Sequence, residues 1–261
     1  MLFTDQLHRT IAISHPPKKI VSIVPSQSEL LFDLGLDEEV IGITKFCIHP
    51  AKWLESKTKV GGTKQLNLAV IDSLKPDLII ANKEENTKEQ IELLSEKHSV
   101  WISDIKTLED ALQMISDIGV ITARSTQAEK LMSSIQQSFH ELMIAAETTQ
   151  KKRALYLIWN EPMMLAGSDT FINEMMRYSG FENCIKGQRY PEITKEEIIS
   201  LHPEYILLSS EPFPFSEKHQ TIFRERFPFA DVMLVDGEFF SWYGSRLSLA
   251  QHYFSSLLKS L

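Results

Sequence analysis

The apolar positions of this chain follow two periods, one typical of buried strands and one typical of helices. Short continuous apolar runs alternate with segments whose apolar residues recur at helical spacing. In the first half the predicted strands are 19–24, 40–44, 78–81 and 100–102, and the predicted helices lie at about 68–74, 87–95 and 108–118. This β/α alternation is typical of a mostly parallel sheet with helices on both faces.

The alternation resumes in the second half of the chain. The predicted strands there include 153–159 and 232–235, and the predicted helices include about 170–178 and about 246–258. The last helix is expected to turn four apolar side chains to the core, namely Leu247, Leu249, Phe254 and Leu258. Two stretches have the spacing of a capping box, Ser26 to Glu29 and Thr194 to Glu197, and each predicts the start of a helix.

One local pattern occurs twice. Residues 74–80 read Leu-Lys-Pro-Asp-Leu-Ile-Ile, and residues 201–207 read Leu-His-Pro-Glu-Tyr-Ile-Leu. In both copies a proline ends a helix, and an acid and a run suited to a buried strand follow. The repeat predicts two similar α/β lobes, with a cleft between them as the place where a small ligand would bind.

A single long helix is predicted between the lobes. Neither glycine nor proline occurs between Gly119 and Pro162, and five apolar residues recur on one helical face, namely Ala128, Leu131, Ile135, Leu142 and Ala146. A helix from about Ser125 to Gln150 would reach roughly 35 to 40 Å, enough to connect two lobes. The alternative is a crossover helix within one larger sheet. The predicted domains are an N-terminal lobe (1–120), a linking helix (121–150) and a C-terminal lobe (151–261).

Composition and charge exclude several classes of protein. The chain has 27 basic and 35 acidic residues with no long run of either sign, a net charge of −8 that argues against nucleic acid and anionic membranes as partners. No stretch approaches the roughly 20 apolar residues of a membrane helix. Because Met1 is not followed by the pattern of a secretory leader, the protein is expected to stay inside the cell or to have its leader outside this sequence. Cys47 and Cys184 fall in different lobes and are interpreted as free thiols.

The common catalytic motifs are absent from the sequence. The candidate ligand-binding residues lie instead in aromatic and polar clusters at the predicted ends of strands. The clusters are 46–49, 159–162, 211–215 and 239–246. Aromatic rings in such loops can stack on the flat face of a ligand, and Arg246 can pair with a carboxylate or phosphate. We therefore expect Trp242, Tyr243 and Arg246 to contact a large, partly planar ligand.

Two further pairs of residues are candidates for polar contacts. Cys47 and His49 are two positions apart, a spacing that can direct both side chains to a soft or borderline metal, the alternative being a buried thiol beside an ordinary loop histidine. Glu84 and Glu85 directly follow a predicted strand, which favours a position facing the cleft over a solvated turn.

Four features of the chain belong to one pattern. They are the segment Lys19 to Ser26 followed by Glu29, the segment Asn67 to Asp77, the long linking helix, and the segment Pro191 to Pro203. With them the chain resembles, nearly from end to end, the substrate-binding proteins of cobalamin and iron-siderophore ABC importers, the class III periplasmic binding proteins. The loops at 46–50, 84–86 and 241–246 resemble a less-characterised branch of that family, the helical-backbone metal receptors. The resemblance implies two Rossmann-like lobes joined by one rigid helix.

Carried over by position, the family's pattern implies specific roles. The cleft aromatics of the cobalamin binders fall on Phe46 and Tyr190, which keep a ring, and on Thr63 and Asn82, which do not, so the ligand within the family is left open. The family docks on its membrane permease through one surface glutamate per lobe. The second of these falls on Glu196 in this chain, whereas Ala69 stands at the position of the first.

The leading hypothesis is a monomeric, non-enzymatic binding protein that needs no cofactor of its own. It would capture a metal chelate, either a corrinoid, haem or a ferric siderophore, and hand it to an ABC permease at the periplasmic or cell-surface side of a membrane. Phe46, Trp159 and Tyr190 would supply stacking surface together with the rings near Arg246. The alternative is an intracellular enzyme or metal-handling protein with Cys47 and His49 as ligands.

Overall fold

Two separate five-stranded sheets, rather than one larger sheet, organise the chain. A computed structural model describes residues 1–261. The backbone divides into unit 1, which comprises Met1–Ile105, Glu109–Ser134 and Tyr243–Arg246, and unit 2, which comprises Lys106–Leu108, Ile135–Trp242 and Leu247–Leu261. The predicted fold class, α/β with two lobes of mostly parallel sheet joined by a long helix, is confirmed. The predicted domain limits stay a prediction.

The main sheet of unit 1 has only parallel pairings. The strands of this part of the chain are β1 (Leu2–Thr4), β2 (Thr10–Ala12), β3 (Ile20–Ser22), β4 (Val40–Ile43), β5 (Thr58–Lys59), β6 (Gly61–Gly62), β7 (Gln65–Leu66), β8 (Leu78–Asn82) and β9 (Val100–Ser103). The helices are α1 (Pro25–Asp33), α2 (Ala51–Ser56), α3 (Leu68–Leu74), α4 (Lys88–Ser95) and α5 (Leu108–Ile121). The sheet order is β5-β4-β3-β8-β9, and β1-β2 and β6-β7 form two antiparallel pairs.

The central strands of this sheet are buried on both faces. Every residue of β3 and β8 is buried, which is why both read as continuous apolar runs in the sequence. One face packs on a cluster that includes Val21, Ile79 and Ile71 of α3. The apolar runs thus predict the strands correctly because covering helices exclude water from the whole length of each strand.

The predicted long helix is present as α6 (Ser125–Thr148). Its 24 residues correspond to roughly 36 Å. Its buried side chains are Ala128, Ile135, Phe139, Leu142 and Ala146. Its first ten residues, 125–134, belong to unit 1 and the rest to unit 2, so one continuous helix connects the two units along the chain.

The sheet of unit 2 is mostly parallel with one antiparallel edge. Its strands are β10 (Lys152–Trp159), β11 (Met164–Leu165), β12 (Phe181–Asn183), β13 (Tyr205–Ser209) and β14 (Asp231–Val235). Its helices are α7 (Phe171–Tyr178), α8 (Lys195–Leu201), α9 (Glu217–Arg226), α10 (Gly237–Ser241) and α11 (Leu247–Ser260). The order is β11-β10-β13-β14, with β12 also paired to β10.

The repeated helix-proline-acid pattern has the same local structure in both units. Lys75 is the C-cap of α3 and His202 is the C-cap of α8, and both residues are left-handed, with φ of 50° and 44°. After each proline the acid fixes the start of a neighbouring strand. Asp77 Oδ2 accepts the backbone N–H groups that precede β3, and Glu204 Oε2 accepts the backbone N–H of Arg153 in β10 at 3.0 Å.

Two details predicted for helices are wrong, and one is confirmed. α1 has Val24 as its N-cap with no side-chain cap, because the helix begins at Pro25 and both Ser26 and Glu29 lie inside it. The Glu29 carboxylate pairs with Arg246. Leu249 is 57% exposed, since it lies two residues from Leu247 and therefore off the buried stripe of α11. The capping box at Thr194 is present, with the backbone N–H of Thr194 donating to Glu197 Oε2 at 2.7 Å.

None of the helices has the length and apolar character that crossing a membrane requires. Cys47 and Cys184 are free thiols, as predicted.

Candidate functional site

Parallel strands bring the loops that follow them to one edge of a sheet, here called its carboxyl edge. In unit 1 the carboxyl edge includes the loops after β4 and β8, at 44–50 and 83–87. In unit 2 it includes the loops after β10 and β13, at 160–163 and 210–216. Most of the residues predicted to bind a ligand fall on these loops or next to them.

Phe46 is an exposed ring at the carboxyl edge of unit 1. Its side chain is 51% exposed, and its Cε2 lies so close to Gly62 that a Cβ there would be 3.0 Å away. The Lys45 ammonium lies 5.1 Å from the centre of the ring. A glycine backbone thus supports one side of the ring while much of the ring surface remains open to solvent.

Cys47 and His49 have different environments. The Cys47 thiol is fully buried, with Sγ 3.0 Å from Ser28 Oγ and 3.2 Å from Thr44 Oγ1, and burial raises its pKa. His49 is partly exposed. No group of three or more His, Cys, Asp and Glu side chains that could hold a metal ion occurs in the structure. A metal bond from either residue stays a prediction.

Glu84 and Glu85 lie in a tight turn at the end of β8. Their backbone N–H groups donate to Asn82 Oδ1 at 2.8 and 3.0 Å, so the Asn82 side chain shapes the turn. The Lys64 ammonium donates to the backbone carbonyl of Glu84. Burial raises the pKa of Glu85, and the charge of Lys64 opposes that shift. Both glutamates are partly buried at the carboxyl edge, and their contact with a ligand stays a prediction.

Arg246 belongs to unit 1 and forms a bidentate ion pair there. Its guanidinium donates to both carboxylate oxygens of Glu29, at 2.6 and 3.0 Å, and the two side chains are only 10% and 13% exposed. Burial nevertheless raises the pKa of Glu29, because desolvation outweighs the nearby guanidinium. Next to this pair the Ser245 hydroxyl donates to Asp33, and Gly244 lies against the Ser26 carbonyl. The structure thus gives Arg246 a partner within unit 1, and its contact with a ligand stays a prediction.

Trp159 is the exposed ring at the carboxyl edge of unit 2. It is 39% exposed, and its indole N–H donates to the Glu161 carbonyl at 3.1 Å. Its ring meets Phe213 edge to face at 5.6 Å, and Phe213 also contacts Phe215 and His219. The loops after β10 and β13 therefore form one aromatic cluster, with Trp159 as its exposed member.

Trp242 and Tyr243 are nearly buried, with 6% of each residue exposed. The Trp242 indole N–H donates to Glu211 Oε1 at 3.0 Å, and the Ser241 hydroxyl donates to the same oxygen. The carboxylate of Glu211 thus orients the indole within unit 2. Ligand contact by Trp242 and Tyr243 stays a prediction.

Tyr190 lies in the loop that precedes α8 and is partly buried. The preceding residue, Arg189, has a left-handed backbone with φ of 60°, and its backbone N–H donates to Asp169. Its carbonyl accepts from the backbone N–H of Gly167 at 2.7 Å. The loop is therefore fixed by backbone contacts, and ligand contact by Tyr190 stays a prediction.

Glu196 and Ala69 occupy equivalent positions in the two copies of the repeat. Each is the second residue of its helix, in α8 and α3, after an N-cap whose side chain accepts a backbone N–H. Both are exposed, and Glu196 makes no ion pair. Docking of Glu196 on a permease stays a prediction.

Sequence reasoning missed the contacts that organise these edges. Glu29 is the partner of Arg246, and Glu211 is the partner of Trp242, although each is distant in the chain from the residue it holds. Lys45 and Arg189 directly precede Phe46 and Tyr190. Lys45 and Arg189 could have been found from the sequence, since each is a cation next to a loop aromatic. The pairings of Glu29 and Glu211 could not, because no local pattern connects residues so far apart in the chain.

Known proteins similar to this chain share one architecture. A family model described as periplasmic binding protein matches residues 20–227. A vitamin B12-binding protein of Pectobacterium carotovorum is 25% identical over 252 residues, which are 94% of this chain and 90% of that protein.

Two solved structures show the same fold. The periplasmic vitamin B12 binding protein of Vibrio cholerae has a TM-score of 0.79 at 20% identity, covering 94% of this chain and 98% of that one. A periplasmic heme-binding protein of Roseiflexus sp. RS-1, in its apo form, has a TM-score of 0.79 at 18% identity, covering 93% of this chain and 98% of that one.

Proposed function

The chain belongs to the periplasmic binding protein family, and from this premise we propose that it is the solute-binding protein of an ABC importer. The family predicted from the sequence is thereby confirmed. The proposed cargo is a metal chelate, either a corrinoid, haem or a ferric siderophore, which the protein binds and releases unchanged.

The observation that carries the proposal is the exposure of one aromatic ring at each carboxyl edge. Phe46 is 51% and Trp159 is 39% exposed, and each is supported from behind, by a glycine backbone and by the ring of Phe213 respectively. A supported ring with an open face can stack on a large partly planar molecule with little loss of side-chain freedom. The names of the relatives, vitamin B12-binding and heme-binding, are consistent with such a cargo.

Binding without turnover is supported by the state of the potential reactive groups. The Cys47 thiol is buried and its pKa is raised, so the thiolate that a nucleophile or metal ligand needs is disfavoured. The Glu29 carboxylate is committed to Arg246. We therefore propose that the protein is not an enzyme and needs no cofactor, and that any metal it carries belongs to the cargo.

The importer implies a permease as a second partner and a location outside the cytoplasmic membrane. We propose that Glu196, exposed and without an ion pair in the first turn of α8, contacts cationic side chains of that permease. The first-lobe position has Ala69, so unit 1 would contribute no carboxylate there. We propose a monomer located in the periplasm or at the cell surface.

The test is a titration of the purified protein with cyanocobalamin, haemin and ferric siderophores while tryptophan emission is followed. Trp159 is the exposed reporter, whereas Trp53 and Trp101 are fully buried and serve as internal references. We expect saturable quenching by one class of chelate. In Phe46→Ala the affinity should fall while the emission of the free protein stays unchanged.

The variant Trp159→Phe shows whether the quenching is reported from the carboxyl edge of unit 2. If calorimetry detects binding but this variant retains the full quenching, the chelate binds elsewhere. If calorimetry detects no binding of any chelate, the proposed function is wrong.

A further inference from the structure

An open groove lies along α11 in unit 2, and none of its residues is among those assigned to the chelate. Its volume is about 580 Å³, within the range of sites for small molecules. All of its lining residues belong to unit 2, and all except Phe239 of α10 lie on α11. The lining includes Phe239, Leu249, Gln251, His252, Tyr253 and Ser256. A groove of this size can hold a second ligand.

Two stacked aromatic rings form one wall of the groove. The ring centres of Phe239 and Tyr253 lie 4.6 Å apart, and the ring planes meet at an angle of 15°. The Tyr253 hydroxyl accepts the backbone N–H of Asp236 at 2.8 Å. The Tyr253 ring also meets Phe240 at 6.4 Å and Phe254 at 5.8 Å. Because these contacts hold Tyr253 in place, the wall is preformed, and the face of such a ring attracts a cation.

Leu249 supplies an exposed apolar surface in the same groove. It is 57% exposed, more than any other large hydrophobic residue except Met1 and Leu2. The spacing of Leu249, His252 and Ser256 places all three on one face of α11. The Leu249 side chain, which is not used in the core, is therefore available to the apolar part of a ligand.

Two carboxylates without a cation partner lie next to the groove. Asp236 caps α10 with its side chain and makes no ion pair. Glu141 accepts the side-chain amides of Gln137 and Gln251 and likewise makes no ion pair. Burial raises the pKa of Tyr253, and the charge of Asp236 adds to this shift, so the Asp236 carboxylate acts on the aromatic wall. No lysine or arginine lines the groove, and its electrostatic potential is therefore suited to a positive charge.

We propose that this groove is a second binding site and that it takes small organic ammonium ions with an apolar body. The ammonium group lies against the aromatic wall of Phe239 and Tyr253, and the apolar body packs on Leu249. A cation that is partly desolvated over an aromatic face gains more than an exposed one, and the nearby carboxylates add to the attraction. A neutral or anionic molecule of the same shape lacks this gain. The site acts independently of the proposed chelate and permease.

The experiment compares four probes that separate charge from shape. Phenethylammonium has a cation and a ring, 2-phenylethanol has the ring without charge, 3-phenylpropionate has the ring with a negative charge, and tetramethylammonium has the cation without the ring. Binding to the full chain is followed by NMR at the Leu249 methyl groups and the Tyr253 amide. We expect phenethylammonium to bind at least about fivefold more tightly than 2-phenylethanol, with a smaller difference at high salt. Tetramethylammonium should bind more weakly than phenethylammonium, and 3-phenylpropionate most weakly of all.

Three variants test the roles of single side chains. Phe239→Leu keeps an apolar side chain and should weaken binding of phenethylammonium by about fivefold, because it removes the ring. Leu249→Arg places a cation in the groove and should abolish binding. Asp236→Asn keeps a side chain that can cap α10 and should reduce the preference for phenethylammonium over 2-phenylethanol, which a purely structural role would not predict.

The matched control is Leu93→Arg, at a leucine of α4 in unit 1 that is 50% exposed, and it should change nothing. Phe46→Ala and Trp159→Phe should also leave binding of phenethylammonium intact, and Leu249→Arg should leave chelate binding intact. Equal melting temperatures exclude unfolding as a cause of any loss.

Three results would overturn the inference. If 2-phenylethanol or 3-phenylpropionate binds as tightly as phenethylammonium, the groove does not select cations. If Leu249→Arg retains binding, or if the signals of α11 do not change, the cation binds elsewhere or not at all. If sedimentation shows a dimer that Leu249→Arg dissociates, a second copy of the chain occupies the groove instead. None of these results bears on the proposed function.

Discussion

Unit 1 lines the carboxyl edge of its sheet mainly with small polar side chains, whereas unit 2 lines the equivalent edge mainly with aromatic rings. In unit 1 the Asn82 amide donates to Ser103 Oγ at 2.9 Å, and Ser28 Oγ donates to Ser22 Oγ at 2.8 Å, all fully or almost fully buried. In unit 2 the ring of Tyr156 packs on Phe240 at 5.0 Å, and the more exposed ring of Trp159 packs on Phe213 at 5.6 Å.

The difference shows that one strand-helix framework accepts two kinds of edge. A hydrogen-bonded network has directional bonds and loses stability when one member is removed, because the remaining partners stay buried and unsatisfied. An aromatic edge depends on packed area instead, so its cost of truncation follows burial. The two edges should therefore respond differently to the same kind of substitution, and the following variants test this.

The largest effect is expected for the buried aromatic layer of unit 2. Phe240 is fully buried against Tyr156 and Phe254, so Phe240→Ala should lower the free energy of unfolding by about 3 to 5 kcal/mol. Phe46→Ala, at an exposed ring, is the control and should change stability by no more than about 0.5 kcal/mol. Denaturant titrations measure both. Equal losses in the two variants would contradict the dependence on burial.

A smaller loss is expected when the polar edge of unit 1 is broken. Asn82 donates to Ser103 and accepts the backbone N–H groups of Glu84 and Glu85, so Asn82→Ala should cost about 2 to 3 kcal/mol. Asn67→Ala removes only the exposed N-cap bond of α3 and should cost about 1 kcal/mol. Urea unfolding compares them. A cost for Asn82→Ala no greater than for the cap would show that the network is not cooperative.

The acids of the repeated pattern should behave alike in the two units. Asp77 and Glu204 each accept backbone N–H groups at the start of a strand, at 2.9 to 3.0 Å. Because both sites are largely open to solvent, Asp77→Ala and Glu204→Ala should each cost only about 1 kcal/mol. Thermal unfolding of the two variants side by side measures this. A large loss for one and none for the other would mean that the repeat is structurally unequal.

The smallest effect concerns pH: the contributions of Glu29 and Glu204 to the free energy of unfolding should change in opposite directions as the pH rises. Burial raises the pKa of Glu29 above 4.5 despite Arg246 and His49, with Asp33 adding to the shift, so its contribution to stability is present below pH 4.5 and lost as the pH rises above it. The bond to Arg153 lowers the pKa of Glu204, so its contribution is present above pH 4.5 and lost as the pH falls.

The corresponding measurement is the free energy of unfolding from pH 3 to 6, taken as the difference between the unmodified chain and each glutamine variant. For Glu29→Gln this difference should shrink as the pH rises, and for Glu204→Gln it should grow. Two differences with the same slope would show that one of the two environments is assigned wrongly.

Many of the strands and helices could be predicted from the sequence, because the patterns that indicate them extend over only a few neighbouring residues. The apolar period identified the central strands, α3 and α6, and the spacing from Thr194 to Glu197 identified a capping box that is present. The helices α2, α9 and α10 were missed, since each is short or weakly periodic. The spacing from Ser26 to Glu29 was misleading, because it matches a capping box although the helix already begins at Pro25.

For the candidate site, too, some features could be predicted from the sequence and others could not. The sequence indicated which residues lie at the ends of strands, and the structure places Phe46 and Trp159 there with exposed rings. It did not indicate that Trp242 and Tyr243 are nearly buried, and for Cys47 it left a metal ligand and a buried thiol both open, whereas the structure shows the thiol fully buried. Burial depends on the neighbours that surround a residue in space, and the local sequence around a residue does not indicate which these neighbours are.

The order of strands and helices, the repeat and the long helix follow from local sequence patterns, because backbone geometry couples residues only a few positions apart. The pairing of side chains that are distant in the chain depends on the folded structure. Arg246 pairs with Glu29 across 217 positions, and Trp242 bonds to Glu211 across 31. Such pairs form because a buried charge or indole N–H requires a partner, and the folded chain alone determines which group is near enough to supply it.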